Sequence, residues 1–159
     1  MNVHTPNMLS QLAYPYLKAK GEGWILNISS ATADTPPAAP WNFEERYLQY
    51  NRDNHPTVYG TSKSALDRLT VGWALEMSGS GIAVNALAPV GAVGSEGAMA
   101  VGGWDANDHL ELVEAMAEAA LQLCHRPAAE CSGHVVRSIP LLKQLGVNIR
   151  NLDGSVLTK

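Results

Sequence analysis

Residues 57–89 read TVYGTSKSALDRLTVGWALEMSGSGIAVNALAP, and this stretch decides the fold class. Its first part predicts a long helix over 57–78, which glycines at 79 and 81 end. Apolar residues recur at helical spacing on one stripe of that helix: Leu66, Leu69, Trp73 and Met77. IAVNAL (82–87) follows as an unbroken apolar run closed by proline, which is typical of a strand covered on both faces of a parallel sheet.

The flanking sequence continues the alternation of helix and strand. A helix over 3–19 precedes the apolar run WILNIS (24–29), which also reads as a strand covered on both faces. After the central stretch we expect a helix over 108–124, a strand over 133–138 and a short helix behind it. Glu111 would then lie in the first helical turn, where the helix dipole favours a carboxylate. This order predicts an α/β protein with a parallel sheet, and residues 1–159 form one domain.

Two long segments interrupt the alternation. Residues 31–58 begin with the proline-rich ATADTPPAAP and leave room for a short helix around 42–50. A connection of this length indicates a lid-like insertion, although a loop without function stays open. The glycine-rich residues 91–107 form a second lid-like loop. With only three predicted strands, the strand at 24–29 has an unpaired edge, so the chain either borrows a strand or is part of a larger unit.

Composition excludes several classes of function. The chain has 159 residues, a formal charge of −4 and no like-charge block, which argues against a nucleic-acid surface. Its N-terminus has no apolar core long enough for a signal peptide or a membrane span, and we expect a cytoplasmic protein. Cysteines at 124 and 131 lie near histidines at 125 and 134, but the spacing fits no familiar zinc site. We therefore expect no metal.

The short sequence YGTSK (59–63) places a tyrosine and a lysine one helical turn apart. The same spacing occurs at Tyr14 and Lys18, but Pro15 there interrupts the amide hydrogen-bond ladder of the predicted helix, and no serine-ended strand precedes the pair. Taken alone, such a pair is more often a solvated surface pair than a catalytic one. A free tyrosine has a pKa near ~10, and a neighbouring ammonium favours its phenolate form, as proton transfer near neutral pH requires.

Several short motifs in order resemble the short-chain dehydrogenase/reductase family. YGTSK stands at a helix start, NISS (27–30) ends the preceding strand and NALAP (85–89) ends the next. APVGAVGSEGA (88–98) looks like the family's nicotinamide-capping loop. The resemblance spans essentially the whole chain but covers only the C-terminal, catalytic half of the family's domain. It implies a truncated, Rossmann-like doubly wound parallel sheet and hydride transfer between NAD or NADP and a small carbonyl compound or secondary alcohol.

The resemblance also implies a role for particular residues. Tyr59 would be the general acid and base, Lys63 its electrostatic helper and Ser30 a hydrogen-bond donor to the substrate oxygen. Asn2 would hold a water molecule that relays protons towards Lys63. Cofactor contacts would come from six residues: Tyr59, Lys63, Pro89, Gly91, Val93 and Ser95. The small residues at 60–62 would leave room for a cofactor ribose.

The sequence also departs from the family's pattern. It contains no glycine-rich phosphate-binding turn and no residue that selects between NAD and NADP, and its loop between Ser30 and Tyr59 is longer than usual. An alternative is therefore a catalytically inactive fragment that acts as a dimerisation or interaction module. Its interface, and the homo-oligomer that the family resemblance implies, would use the helices at 3–19 and 57–78. A serine hydrolase has little support, because no G-x-S-x-G sequence is present.

Overall fold

The computed structural model describes residues 1–101 and 110–157. Within them, one sheet has the strand order β1-β2-β3, and both pairs of neighbours are parallel. The strands are β1 (Gly23–Ile28), β2 (Ile82–Ala88) and β3 (Val135–Arg137). The helices are α1 (His4–Lys20), α2 (Arg46–Asn54), α3 (Thr57–Glu76), α4 (Glu96–Val101), α5 (Val113–Leu123) and α6 (Ser138–Leu145).

Helices cover both faces of this sheet. Successive side chains of a strand point to opposite faces, so β2 contributes to a separate core on each side. On one face, Val84 of β2 belongs to a core cluster that includes side chains of α1 and α3. On the other face, Leu87 packs with side chains of α5 and α6. All seven residues of β2 are buried. The prediction of an α/β fold with a doubly wound parallel sheet is therefore confirmed.

The predicted burial of the first strand is wrong. β1 lies at the edge of the described sheet and pairs only with β2. Its burial is mixed, and Ile28 at its end is 49% exposed. An apolar run is compatible with a partly covered edge strand, because apolarity alone does not report how many neighbours a strand has.

The segment between β2 and α5 also differs from the prediction. The glycine-rich loop contains a short helix, α4, and the helix predicted over 108–124 begins only at Val113. Glu111 is not helical, because it forms an isolated parallel bridge with Val93. The rest of the predicted lid, residues 102–107, and the predicted helix start at 108–109 lie outside the described residues.

Pro15 lies inside α1, which runs without interruption from His4 to Lys20 and matches the helix predicted over 3–19. A proline in a helix removes one amide donor and leaves the carbonyl four residues earlier without its usual partner. Residues 11 and 15 are both exposed, so that carbonyl faces water at a moderate cost. No helix among the described residues has the length and apolarity needed to cross a membrane.

Candidate functional site

The carboxyl ends of the three strands lie at one edge of the sheet, where α/β proteins bind ligands. Ser29 and Ser30 follow β1, and Pro89 follows β2. Arg137 ends β3, and Ser138 begins α6 directly after it. Residues from distant parts of the sequence therefore meet at this edge.

Tyr59 and Lys63 lie on the first turns of α3 and face the same edge. The Lys63 ammonium is 5.7 Å from the centre of the Tyr59 ring and donates a hydrogen bond of 2.7 Å to the carbonyl of Ile28, at the end of β1. Burial lowers the pKa of Lys63, and the negative charge of Asp67 partly opposes this. Tyr59 itself is 48% exposed, so its side chain is accessible from solvent.

Gly60 allows α3 to lie directly against the turn that follows β1. A Cβ atom at this position would be 2.5 Å from the carbonyl oxygen of Thr32, which is too close for any side chain. The sequence analysis attributed the small residues at 60–62 to a cofactor ribose. The structure gives Gly60 a different local reason, namely close contact between two backbone segments.

Ser30 caps the single turn of 3-10 helix at Ala31–Ala33. Its hydroxyl accepts a hydrogen bond of 3.2 Å from the Thr32 amide and lies 2.9 Å from the Thr32 hydroxyl. The structure contains no hydrogen bond between Ser30 and Tyr59. The predicted contact of Ser30 with a substrate oxygen stays a prediction.

Asn2 is held against the first turn of α3. Its side-chain amide donates a hydrogen bond of 3.0 Å to the hydroxyl of Ser62, which in turn donates to the carbonyl of Tyr59 at 2.7 Å. Asn2 and Lys63 both line a groove of about 650 Å³ beside β1. The predicted neighbourhood of Asn2 and the Tyr–Lys pair is therefore present, while its proton-relay role stays a prediction.

The predicted nicotinamide loop is anchored mainly by its backbone. The Val90 amide donates to the Glu111 carboxylate at 2.7 Å, and the Gly94 amide donates to the Glu111 carbonyl at 2.9 Å. Ser95 accepts a hydrogen bond of 3.2 Å from the Ala98 amide, so it caps the first turn of α4. At Gly91, apart from its two chain neighbours, no atom of the described residues lies within 4 Å of the position that a Cβ would take.

Three charged residues of this edge were missed by the sequence analysis: Asp67, Glu111 and Arg137. Asp67 follows Lys63 by one helical turn, a spacing that could have drawn attention to it. Burial raises the pKa of the Asp67 carboxyl, and the nearby Ser29 hydroxyl and Arg137 guanidinium reduce that shift. The Asp67 Oδ1 and Ser29 Oγ atoms are nevertheless buried without a hydrogen-bond partner among the described residues.

Arg137 joins the loops that follow β1 and β2. Its guanidinium donates to the carbonyl oxygens of Ala31 and Pro89, each at 3.4 Å, and pairs with the carboxylate of Asp34. The position of Arg137 at the carboxyl end of a predicted strand was a usable signal. Glu111 gave no such signal, because a carboxylate in the first turn of a predicted helix is already explained by the helix dipole.

Comparison with known proteins places this edge in context. No protein-family model matches the sequence. Two tropinone reductase homologs of Arabidopsis thaliana are 33% and 36% identical over 88 residues, which is 55% of this chain but only 27% and 28% of theirs. A solved short chain dehydrogenase/reductase family protein is 27% identical with a TM-score of 0.63, and the match covers 86% of this chain and 52% of that chain. ElxO with NADP bound is 23% identical with a TM-score of 0.64, covering 86% and 53%.

These likenesses confirm the resemblance to the short-chain dehydrogenase/reductase family, over one half of that family's domain. The chain spans about half the length of the solved structures that it matches and just over a quarter of the two curated relatives.

Proposed function

We propose that this chain carries the catalytic half of an NAD- or NADP-dependent oxidoreductase of the short-chain dehydrogenase/reductase type. The observation that carries the proposal is the Lys63 ammonium, which a hydrogen bond to the Ile28 carbonyl holds 5.7 Å from the Tyr59 ring at the carboxyl edge of the sheet. The NADP bound to ElxO supports a nicotinamide cofactor, and the tropinone reductase homologs are consistent with a small carbonyl or alcohol substrate. A cytoplasmic location stays a prediction.

The residues present fit the nicotinamide end of such a cofactor. Tyr59 is accessible, and among the described residues none beyond its chain neighbours comes within 4 Å of a Cβ position at Gly91, on the loop after β2. The sequence contains no glycine-rich turn to hold a pyrophosphate, so this chain supplies contacts for the nicotinamide end only. When bound, the nicotinamide supplies or accepts the hydride.

The protein's own residues then handle the proton. Tyr59 donates a proton to the alkoxide oxygen that develops when a carbonyl is reduced, and it takes the proton back in the reverse direction. The positive charge of Lys63 stabilises the phenolate that remains. Ser30 donates a hydrogen bond to the same substrate oxygen, and Asn2 holds a water molecule that replenishes the proton through Lys63. Pro89, Val93 and Ser95 would contact the nicotinamide ring and its carboxamide.

The test is calorimetric titration of the full chain with NADH and with NADPH, followed by turnover on a panel of small ketones. Binding of one nucleotide at micromolar concentration would mean that the chain rebuilds a complete cofactor site, for example by strand exchange between two copies. Replacing Tyr59→Phe should lower turnover by roughly 100-fold or more, the usual contribution of a general acid. The matched control is Tyr14→Phe, which removes the hydroxyl of the other tyrosine–lysine pair and should leave turnover unchanged. A folded chain that binds neither nucleotide would mean that the catalytic residues lack their cofactor half and would favour the non-catalytic alternative, whereas full turnover in Tyr59→Phe would contradict the proposal.

A second candidate function is a non-catalytic dimerisation module. It is supported by Met8, Leu12 and Tyr16, which follow one another at helical spacing on α1 and are all exposed. Contiguous exposed apolar side chains of this kind mark interaction surfaces. Dimerisation through α1 is by itself compatible with catalysis, because the exposed stripe does not include Tyr59 or Lys63.

A further inference from the structure

Both polar groups of the peptide unit that joins Pro89 and Val90 are held by side chains from later in the sequence. The carbonyl of Pro89 accepts a hydrogen bond of 3.4 Å from Arg137 Nη1. The amide of Val90 donates one of 2.7 Å to Glu111 Oε2. A peptide unit bonded at both its oxygen and its nitrogen cannot rotate without losing one of the two bonds, so this unit has one preferred orientation.

Glu111 is itself firmly fixed. The residue is only 8% exposed, and its second carboxylate oxygen accepts a hydrogen bond from the hydroxyl of the fully buried Ser138. Its backbone amide donates to the Ala92 carbonyl at 2.7 Å, and its backbone carbonyl accepts from the Gly94 amide at 2.9 Å. Glu111 therefore contacts the loop at three successive points, through its side chain at one and its backbone at two.

The chemistry of Glu111 argues for a specific task. No cationic side chain of the described residues forms an ion pair with it, although burial of a carboxylate is costly. Bonds from an amide and a hydroxyl to a carboxylate are among the stronger hydrogen bonds in proteins and repay part of that cost. A side chain of this length with two terminal polar atoms is needed to reach the loop and α6 at the same time.

We infer that Glu111 is a positioning residue for the cofactor loop, and that with Arg137 it clamps the Pro89–Val90 peptide unit in one orientation. The inference rests on the proposed function, because it takes residues 89–95 as the loop that receives the nicotinamide. Arg137 also bonds to Ala31 and Asp34, so the same clamp fixes the loop after β2 relative to the turn that contains Ser30. The clamp acts through the loop backbone.

The experiment compares Glu111→Ala, Glu111→Gln and Glu111→Asp with the control Glu114→Ala, a half-buried glutamate of α5 three residues away. Amide hydrogen exchange at Val90, measured by NMR in the full chain without nucleotide, reports the clamp directly. Titration with NADH and NADPH reports its consequence. Glutamine keeps both bonds, since its amide oxygen can accept from Val90 and its amino group can donate to Ser138, whereas aspartate is one methylene too short to reach both.

We expect Glu111→Ala and Glu111→Asp to lose roughly tenfold or more in protection of the Val90 amide, the scale of one hydrogen bond to a charged group. Nucleotide affinity should fall by a similar factor. Glu111→Gln should stay within about threefold of wild type in both measurements, as should Glu114→Ala. Rescue by glutamine separates a positioning role from one that depends on the negative charge. If Glu111→Ala does not fold, the contrast between the glutamine and aspartate variants carries the test.

Two results would overturn the inference. One is Val90 protection that does not change in Glu111→Asp or Glu111→Ala. The other is a loss of protection in Glu111→Gln as large as in Glu111→Ala. If wild type binds neither nucleotide, the proposed function fails, and exchange at Val90 still decides whether the clamp exists. If wild type binds nucleotide and Glu111→Ala binds it equally well, the positioning role is wrong while the proposed function stands.

Discussion

The two tyrosine–lysine pairs show what residue spacing does and does not determine. The ammonium of Lys18 is 5.4 Å from the Tyr14 ring, and that of Lys63 is 5.7 Å from the Tyr59 ring, so equal spacing gives nearly equal geometry. The difference lies in the surroundings, because only Lys63 bonds to the end of a strand at Ile28. The sequence could predict the proximity in both pairs. It distinguished them through Pro15 and through NISS and NALAP, the motifs that end the strands next to the second pair.

At the residue scale, the partly buried carboxylate of Asp67 lowers the stability of the fold. Burial raises the pKa of its carboxyl, which means that the folded state binds the proton more tightly than the unfolded state does. Its ionised form therefore destabilises the fold at neutral pH. Replacing Asp67→Asn removes the charge and keeps the volume of the side chain. We expect it to raise the free energy of unfolding at pH 7 by at most about 1 kcal/mol, because the side chain is only half-buried and solvent screens its charge.

The stability difference between Asp67→Asn and wild type should depend on pH in a defined direction. The advantage of Asp67→Asn should shrink as pH falls through the raised pKa and vanish below about 3.9, the ordinary value for aspartate, where wild type is protonated in both states. Urea unfolding at several pH values measures it. Asp53→Asn is the control with the opposite tendency, because Arg52 lowers the pKa of this exposed carboxyl. A loss of stability in Asp67→Asn at pH 7 would show that the Ser29 hydroxyl and the positive charges of Arg137 and Lys63 stabilise the carboxylate more than burial destabilises it.

At the scale of elements, α3 is fixed to the sheet by a buried polar contact as well as by apolar packing. The Asn27 side-chain amide donates to the Thr70 hydroxyl at 2.9 Å, and that hydroxyl donates to the Leu66 carbonyl at 2.9 Å. Both Asn27 and Thr70 are buried. This contact sets the rotation of α3 about its axis, and it therefore helps to direct Tyr59 and Lys63 towards the carboxyl edge.

Replacing Thr70→Val removes the acceptor of the Asn27 amide while it conserves the shape of the side chain. The amide would then be buried without its partner, so we expect a loss of about 1–3 kcal/mol in the free energy of unfolding. Chemical denaturation monitored by tryptophan fluorescence measures the loss. Thr61→Val, at an exposed position of the same helix, is the control for β-branched replacement and should change stability little. Equal stability of Thr70→Val and wild type would show that Asn27 finds another partner.

Periodicity predicted the helices and strands that depend on local sequence. It failed where contact with a residue distant in sequence sets the conformation of the segment. The predicted bounds of α1, α3, β1 and β2 agree with the structure to within about two residues, the usual uncertainty of such bounds. Residues 110–112 were assigned to a helix because their pattern is amphipathic. The bridge between Val93 and Glu111 holds that segment extended, and no local signal reports a pairing across this distance in sequence.

At the scale of the whole molecule, the three-stranded sheet of the described residues leaves the outer edge of β1 without a neighbouring strand. Counting the predicted strands was enough to anticipate this edge. A groove of about 650 Å³ runs beside it, lined by residues of α1 and β1. The matched solved structures are about twice as long as the matched region. The proposed activity therefore concerns the catalytic edge, while the cofactor's pyrophosphate would require contacts from outside the matched half.

The exposed stripe of α1 predicts self-association. Leu12 and Tyr16 are 61% and 78% exposed on a helix face that is normally polar when it stays in contact with water. We expect sedimentation velocity to show a concentration-dependent dimer in the micromolar range. Leu12→Glu should raise the dissociation constant by roughly tenfold or more, since a charge at an interface replaces an apolar contact worth at least about 1.4 kcal/mol. Leu152→Glu is the matched control, because Leu152 is equally exposed at 67% but lies outside α1. A clean monomer at micromolar concentration, or equal effects of the two variants, would remove α1 as the interface and leave the catalytic proposal as the remaining function.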